Sequence, residues 1–599
     1  MKRTEISDEF KWDLTKIIAS DKEYNEFINK INELSDKIVE MKGHILDSSK
    51  SLKDYLNVSN EMNLLIEKLY VYSFLTYYSD TTDSSNKEKS LIAEKLNDDI
   101  SKKLSFVDVE LLSKDYDYVK SLLNGDLEEY KFYFEKLFRY KNMTLSENEE
   151  KIITDALSSF GTGSDAFNEI DNSDVYFENV FGEELNHSNF IKFLKNKDVK
   201  IREEAFKKYY KYFSNRKNTL AACYAGHIKE NFFISNIRKF NSPLEYSLYH
   251  DNIDKKLYTN LIEVCHEKRE LIYDYLKLRK KYLNLEEMHM YDIYVDMVDL
   301  ENNDISYEEG KKIIFEALRP LGNDYLKDLE KAFTDSWIDV MPNEGKRSGA
   351  YEWNTYRVDP YVSINFENNM DSVNTLIHEL GHAMHSYYSD KNNSYMYNSY
   401  PIFLAEIAST VNEVLLDEYM LKNAETREEK ILYITKFLDK VRTTIFRQTM
   451  FAEFEKLIHD KYKNNIPLTE SEFSNTYYEL NKLYYGDNIV SDPEIAYEWS
   501  RIPHFYTSFY VYKYATGLSV ALIIANDILN KKPGALDNYM KFLSSGGSDY
   551  PLNILKKCGI DMTDKKVLEN AFTLFEEKLN ELKELIEVKE KCLKITTKH

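Results

Sequence analysis

This chain is short of glycine and proline. Its 599 residues hold 17 Gly and 10 Pro, where average usage is about 7% and 5%. Few breakers mean few turns, so long helices are expected. Tyr24, Phe27, Ile28, Ile31, Leu34, Ile38 and Met41 keep one apolar face over about five turns. Val567 to Ile595 behaves alike, with Leu579, Leu582 and Leu585 set among Glu and Lys. Basic charge is outnumbered. Lys and Arg number 79 against 102 Asp and Glu, a formal charge of −23, which argues against nucleic acid, whose binding rests on neutralising phosphates. Cysteine is rare and scattered: Cys223, Cys265, Cys558 and Cys592 form no CxxC, so free thiols in a reducing compartment are expected. No apolar run is long enough for a bilayer. Leu518 to Leu529 is interrupted by Asn526 and Asp527, and Met1 to Glu9 lacks the apolar centre of a signal peptide. A soluble, cytoplasmic protein with no nucleic-acid or membrane partner is expected. Oligomeric state is not legible.

What is present is a short motif. Residues 378 to 382 read His-Glu-Leu-Gly-His. Two histidines four apart lie one above the other on a helix, so both imidazoles reach one metal ion. Glu379, one residue round from His378, can address a water on that ion, which is the arrangement of zinc peptidases. At these His and Glu frequencies, roughly 0.02 chance matches are expected in such a chain. Upstream, Tyr361, Val362, Ser363, Ile364, Asn365 and Phe366 alternate as a strand does. Asn368 and Asn369 break it, and Asp371 or Ser372 can cap a helix carrying Val373, Leu376, Ile377, Leu380 and Met384 at helical spacing. Gly381 inside that helix costs about 1 kcal/mol relative to Ala, which makes sense if a backbone or a substrate approaches closely.

A catalytic zinc takes a third protein ligand and leaves a position for water. The HExxHxxGxxH class is excluded, because His385 and Tyr388 stand where its Gly and third His belong. His385 shares the face of His378 but lies about 10.5 Å along the axis from it, which suits a supporting or substrate-side position. A second helix opened by Pro401 supplies carboxylates. Glu406 and Glu413 are seven residues apart on one face, and spacing does not choose between them. Candidate strands are Val175 to Val180, Met290 to Val295, Trp337 to Val340 and Tyr361 to Phe366. The whole reads as mostly α-helical, with a small sheet beside the HExxH helix.

Gly345-Lys346-Arg347-Ser348-Gly349-Ala350-Tyr351, Pro360-Tyr361-Val362, and the run His378 to Ser389 resemble oligoendopeptidase F, in the thimet oligopeptidase superfamily of zinc metallopeptidases. Ala405-Glu406-Ile407-Ala408-Ser409-Thr410 is similar to the family's downstream helix, and Arg501 to Tyr506 with Phe509 to Gly517 to its late His/Tyr segment. Lys11-Trp12-Asp13-Leu14 and Ser242-Pro243-Leu244-Glu245 extend the likeness over nearly the whole chain. The resemblance implies helical lobes flanking a deep substrate channel. It implies one zinc held by His378, His382 and Glu406, with Glu379 as general base. It also implies His504, Tyr512 and Tyr506 as donors to the reaction's oxyanion, although any one of 48 tyrosines has packing as its competing role. Glu413 would orient a ligand histidine.

The expected activity is cleavage of internal bonds in short, unstructured oligopeptides. The strand Tyr361, Val362, Ser363, Ile364 and Asn365 would pair with an extended peptide, its competing reading being an ordinary edge strand. A polar stretch from Ser158 to Asp174 suggests an N-terminal helical lobe over 1–165, a joining segment over 166–199 and a catalytic body over 200–599. Two rivals are a decayed peptidase serving as a peptide-binding scaffold, and an exopeptidase holding a substrate terminus with Arg347, Arg357 or Arg501.

Overall fold

The computed structural model describes residues 1–298 and 304–596. Helices dominate, and the only sheet among the described residues has three short strands. Two compact units are present. The first gathers Met1–Thr144, Asn302–Leu416 and Ile524–Gly559; the second gathers Leu145–Glu301, Asp417–Ile523 and Ile560–His599.

In the first unit, α1 (Asp21–Glu40), α2 (Ser49–Ser79) and α3 (Ser84–Lys103) pack together. Ser20, Ser48 and Asp83 cap them, each side-chain oxygen accepting a first-turn backbone N–H. From the apolar stripe of α1, Tyr24, Ile31, Leu34 and Ile38 are buried, whereas Phe27 and Ile28 are half-buried.

The sheet comprises β1 (Ile338–Asp339), β2 (Tyr351–Trp353) and β3 (Tyr361–Ser363) in the order β1-β3-β2, with β1 parallel and β2 antiparallel to β3. This corrects the expectation that Tyr361 to Asn365 offers an open edge to a peptide. β3 is the central strand. Val362 N–H donates to Trp337 O at 2.9 Å, Ile364 N–H to Asp339 O at 3.0 Å and Phe366 N–H to Val340 O at 3.0 Å, while β2 covers the other side. Tyr361, Val362, Ser363 and Ile364 are buried, and the Asn365 amide donates to the carbonyls of Arg347 and Gly349. The outer side of β1 is lined by the N-terminal segment, through Val340 N–H to Phe10 O at 2.9 Å. β2, half-buried, is the other edge of the sheet. Lys346 ties the sheet ends together: its ammonium lies 2.6 Å from Asp339 Oδ1 and donates to the carbonyls of Asp339, Met341 and Ile364.

In the second unit the helix Lys565–Thr596 buries Leu568, Phe572, Phe575, Leu579, Leu582 and Ile586 at alternating spacings of four and three, against the helices Lys255–Tyr282 and Arg427–Val441. Leu585 is only half-buried. Two expected strands are absent: Val175–Val180 contributes one isolated bridge at Val180, and Met290–Asp292 is a single 3-10 turn. The polar stretch after Ser158 is helical over Thr162–Asn168 and Glu169–Ser173. Cys223, Cys265 and Cys558 are buried free thiols, and the Cys592 side chain lies outside the described residues. Among the described residues no helix is long and apolar enough to cross a membrane.

Candidate metal centre

The five-residue motif sits on α4 (Met370–Asn392). Asn368 adopts a left-handed φ of 53°, turning the chain out of the sheet. Asn369, rather than Asp371 or Ser372, caps the helix, its side chain accepting Ser372 N–H at 2.8 Å. Val373, Leu376, Ile377, Leu380 and Met384 are completely buried on one side. α5 (Ile402–Lys422) follows Pro401, whose carbonyl accepts Leu404 N–H at 2.8 Å.

Gly381 sets how closely these helices pass. A Cβ there would come within 2.5 Å of Ser409 Cα and 2.8 Å of Ala408 O. Even alanine at 381 would push the backbones apart. The contacts run in opposite directions along the two helices: Asn412 Nδ2 donates to Ile377 O at 3.2 Å, whereas Glu406 meets His382. The helices are therefore antiparallel. Glu406 lands on the histidines because small residues let α5 lie directly on α4.

His378 Nε2 and His382 Nε2 are 3.2 Å apart, and Glu406 Oε2 is 3.7 Å from each. Three donor atoms thus converge on one point. Ligands at zinc bond lengths near 2.0–2.2 Å in a tetrahedron stand about 3.4 Å apart, so these separations fit a tetrahedral ion without rearrangement. Two imidazoles facing each other at nitrogen, beside a carboxylate, are a donor set of the kind that binds such an ion.

Glu413 Oε1 lies 2.5 Å from His378 Nδ1. Burial would lower the basicity of His378, but this hydrogen bond and the Glu413 charge outweigh it and raise its pKa. His382, by contrast, is pushed down to about 3 by burial and by His378. Glu379 is 7% exposed and has no hydrogen-bond partner among the described residues. Burial, assisted by Glu406 and Glu413 against His378, pushes its carboxyl up to about 7. His385 is buried, stacked on Tyr400 with ring centroids 3.7 Å apart and tilted against Phe542 at 4.9 Å. Its Nδ1 has no partner among the described residues, and burial pushes its pKa down to about 3.

Reading the sequence missed Glu352 and Tyr400. Glu352 projects inward from β2, its carboxyl pushed up to about 8 by burial and by Glu379, against a hydrogen bond from Ser386. Ser386 Oγ lies 3.2 Å from the Tyr400 hydroxyl. The one available signal was an acidic residue between two aromatic ones, Tyr351 and Trp353, on an alternating segment.

The late His/Tyr residues belong to the second unit. His504 is exposed and lies 3.3 Å, at Nε2, from the Tyr514 hydroxyl. Tyr510 completes this group, with centroids 6.5 Å from His504 and 5.4 Å from Tyr514. Tyr512 points the other way. It is 1% exposed and packs on Tyr258 with ring centroids 5.3 Å apart. Tyr506 stacks on Phe167 at 4.5 Å. Burial raises the pKa of both phenols strongly. A turn closed by Lys513 N–H on Tyr510 O leads into the helix Tyr512–Leu529, and residues four apart, such as 510 and 514, share a face there that 512 does not.

A helical chain whose two antiparallel helices aim two histidines and a glutamate at one point, with a buried glutamate beside them, defines a peptidase of the HExxH type. The comparisons with known proteins agree. The profile of peptidase family M3 matches residues 192–574, and that of Oligopeptidase F matches 110–177. Oligopeptidase PepF of Bacillus subtilis (strain 168) is 37% identical over 98% of this chain and 88% of its own length. A crystallised chain from Chlamydophila abortus superposes with a TM-score of 0.91 at 35% identity, covering 98% of this chain and 99% of that one. Oligoendopeptidase-F from Enterococcus faecium gives 0.73 at 32%, covering 95% and 99%. The chain belongs to peptidase family M3, a metallopeptidase family.

Proposed function

We propose that this protein is a zinc-dependent endopeptidase of the cytoplasm that hydrolyses internal bonds of short, unstructured oligopeptides. The observation that carries the reading is the convergence of His378, His382 and Glu406 on one point beside the buried Glu379. Those three side chains would hold the ion. When bound, it would acidify a water molecule and polarise the scissile carbonyl.

The remaining work falls to the chain itself. Glu379 takes a proton from water as the water oxygen bonds to the carbonyl carbon, then delivers it to the amine as the C–N bond breaks. A pKa near neutrality suits both transfers. Glu413 holds the His378 ring through Nδ1, so that Nε2 faces inward. The negative charge that develops on the substrate oxygen needs donors. We assign these to His504, Tyr510 and Tyr514 in preference to Tyr512, which is buried against Tyr258, and Tyr506, which is half-buried and stacked on Phe167. Backbone pairing along the edge of β2 gives affinity with little dependence on sequence.

The exopeptidase reading loses one of its arginines. Arg501 is committed to Glu498 at 2.6 Å, and exposed Arg347 and Arg357 are left to hold a terminus. Mass mapping of the products of an end-blocked quenched peptide separates the readings. Internal cleavage is expected, and an uncut blocked peptide beside a cut free one would point to an exopeptidase.

A further inference from the structure

The segment linking His504 to the helix Tyr512–Leu529 turns on Phe509, whose φ is 57°. A bulky side chain rarely enters this left-handed region, and such strain persists only where surroundings impose it. Two tethers impose it here. Phe509 N–H donates to Glu455 Oε1 at 3.0 Å. Glu455, on the helix Arg447–Lys463, is wholly buried, and its Oε2 has no partner among the described residues. One residue earlier, Ser508 Oγ lies 2.9 Å from His227 Nε2 and accepts from Asn231 Nδ2 at 2.6 Å, both on the helix Lys217–Ile237. His459 closes the gap between the tethers. Its Nδ1–H donates to Glu455 O at 2.7 Å, its Nε2 lies 3.4 Å from Asn231 Nδ2, and its ring is 4.7 Å from the Phe509 ring.

A turn needed only for packing gains nothing from a left-handed phenylalanine and a buried carboxyl with an idle oxygen, since leaving a buried polar atom unpaired is unfavourable. Both features lie immediately before Tyr510. We propose that Glu455 is a positioning residue which, together with Ser508, clamps residues 508 and 509 so that Tyr510 and Tyr514 face His504. The inference rests on the reading of that trio as oxyanion donors. Burial also raises the Glu455 pKa well above the ordinary carboxylate value. Glutamine reproduces its shape and its acceptor; leucine keeps the bulk and removes the acceptor.

The test compares zinc-loaded full-length Glu455→Leu, Glu455→Gln and Ser508→Ala. Amide hydrogen exchange over residues 505–514 is measured beside the kinetics of the end-blocked quenched peptide. Glu455→Leu should speed exchange in that segment and lower kcat about 10²-fold with KM nearly constant, the cost of a misplaced catalytic group. Ser508→Ala should act in the same direction by a smaller factor, and Glu455→Gln should restore both readouts. If Glu455→Leu does not fold, Ser508→Ala carries the same comparison. Unchanged exchange in Ser508→Ala and Glu455→Leu would overturn the clamp. Faster exchange with unchanged kcat would leave the clamp standing and overturn the reading of His504, Tyr510 and Tyr514 as oxyanion donors.

Discussion

Two buried glutamates, one in each unit, show how the same side chain is set to opposite tasks. Glu379 has no hydrogen-bond partner among the described residues, and burial with two neighbouring carboxylates pushes it up to about 7. Glu498 is equally buried, but it lies 2.6 Å from both Arg447 and Arg501 and accepts from the Tyr477 and Tyr210 hydroxyls. Burial alone would raise it; the two guanidiniums outweigh this and pull it down to about 2. A carboxylate held on both oxygens is a structural anchor. One held in a dry place with nothing to bind is ready to exchange a proton.

The comparison is broken most strongly at Glu379. Glu379→Gln keeps shape and leaves His378, His382 and Glu406 untouched, so zinc and peptide should still bind. Turnover should fall by several orders of magnitude, more than the 10²–10⁴-fold typical of acid–base catalysis alone, because water orientation fails with it. Steady-state kinetics beside metal analysis checks this, and substantial activity in purified protein would transfer the role to another group.

At Glu498 the loss should appear in stability. Glu498→Gln leaves two half-buried arginines short of a counter-charge, at a cost of about 1–3 kcal/mol, read from urea unfolding. The pH dependence has a definite sign. The folded pKa, about 2, lies below the unfolded value of about 4.3. The stabilisation is therefore complete above about pH 4.3 and is lost as pH falls towards 2. Glu498→Gln should show a shallower loss than the native chain across that window, and parallel curves would mean the carboxylate is not paired as described.

Much of this site was legible, and the reasons are local. The HExxH spacing is a property of one helix. The need for a close neighbour at Gly381 is a property of one residue, and the neighbour proved to be the α5 backbone. Lys346, part of the motif by which the family was recognised, serves the sheet rather than the reaction. What escaped reading depended on long-range pairing. β2 has only three residues, and nothing local says that β3 would lie between two strands. The chain also passes repeatedly from one unit to the other, with no change in composition to mark it. Which tyrosines face outward follows from the register of one helical turn, which a run of alternating aromatics does not reveal.

That last point gives a smaller, sharper test. Tyr514→Phe should lower kcat about 10²- to 10³-fold with KM nearly constant, the size of one lost oxyanion donor. Tyr512→Phe should leave both constants nearly unchanged. The reverse outcome would return the role to the buried tyrosine. Smaller still, Glu413→Gln should weaken zinc binding about 10- to 100-fold, as loss of a partner that orients a ligand histidine does. Competition with a chelator measures it, and unchanged affinity would make the 2.5 Å contact with His378 incidental.

The central claim is that Glu406 completes a zinc site with His378 and His382, and metal stoichiometry tests it most directly. Native protein and Glu406→Gln, purified alike and dialysed against the same trace of zinc, are compared by elemental mass spectrometry, with circular dichroism confirming that both are folded. About one zinc per native chain is expected, and little in Glu406→Gln. Equal zinc in the two proteins, or a native chain that takes up none, would contradict it.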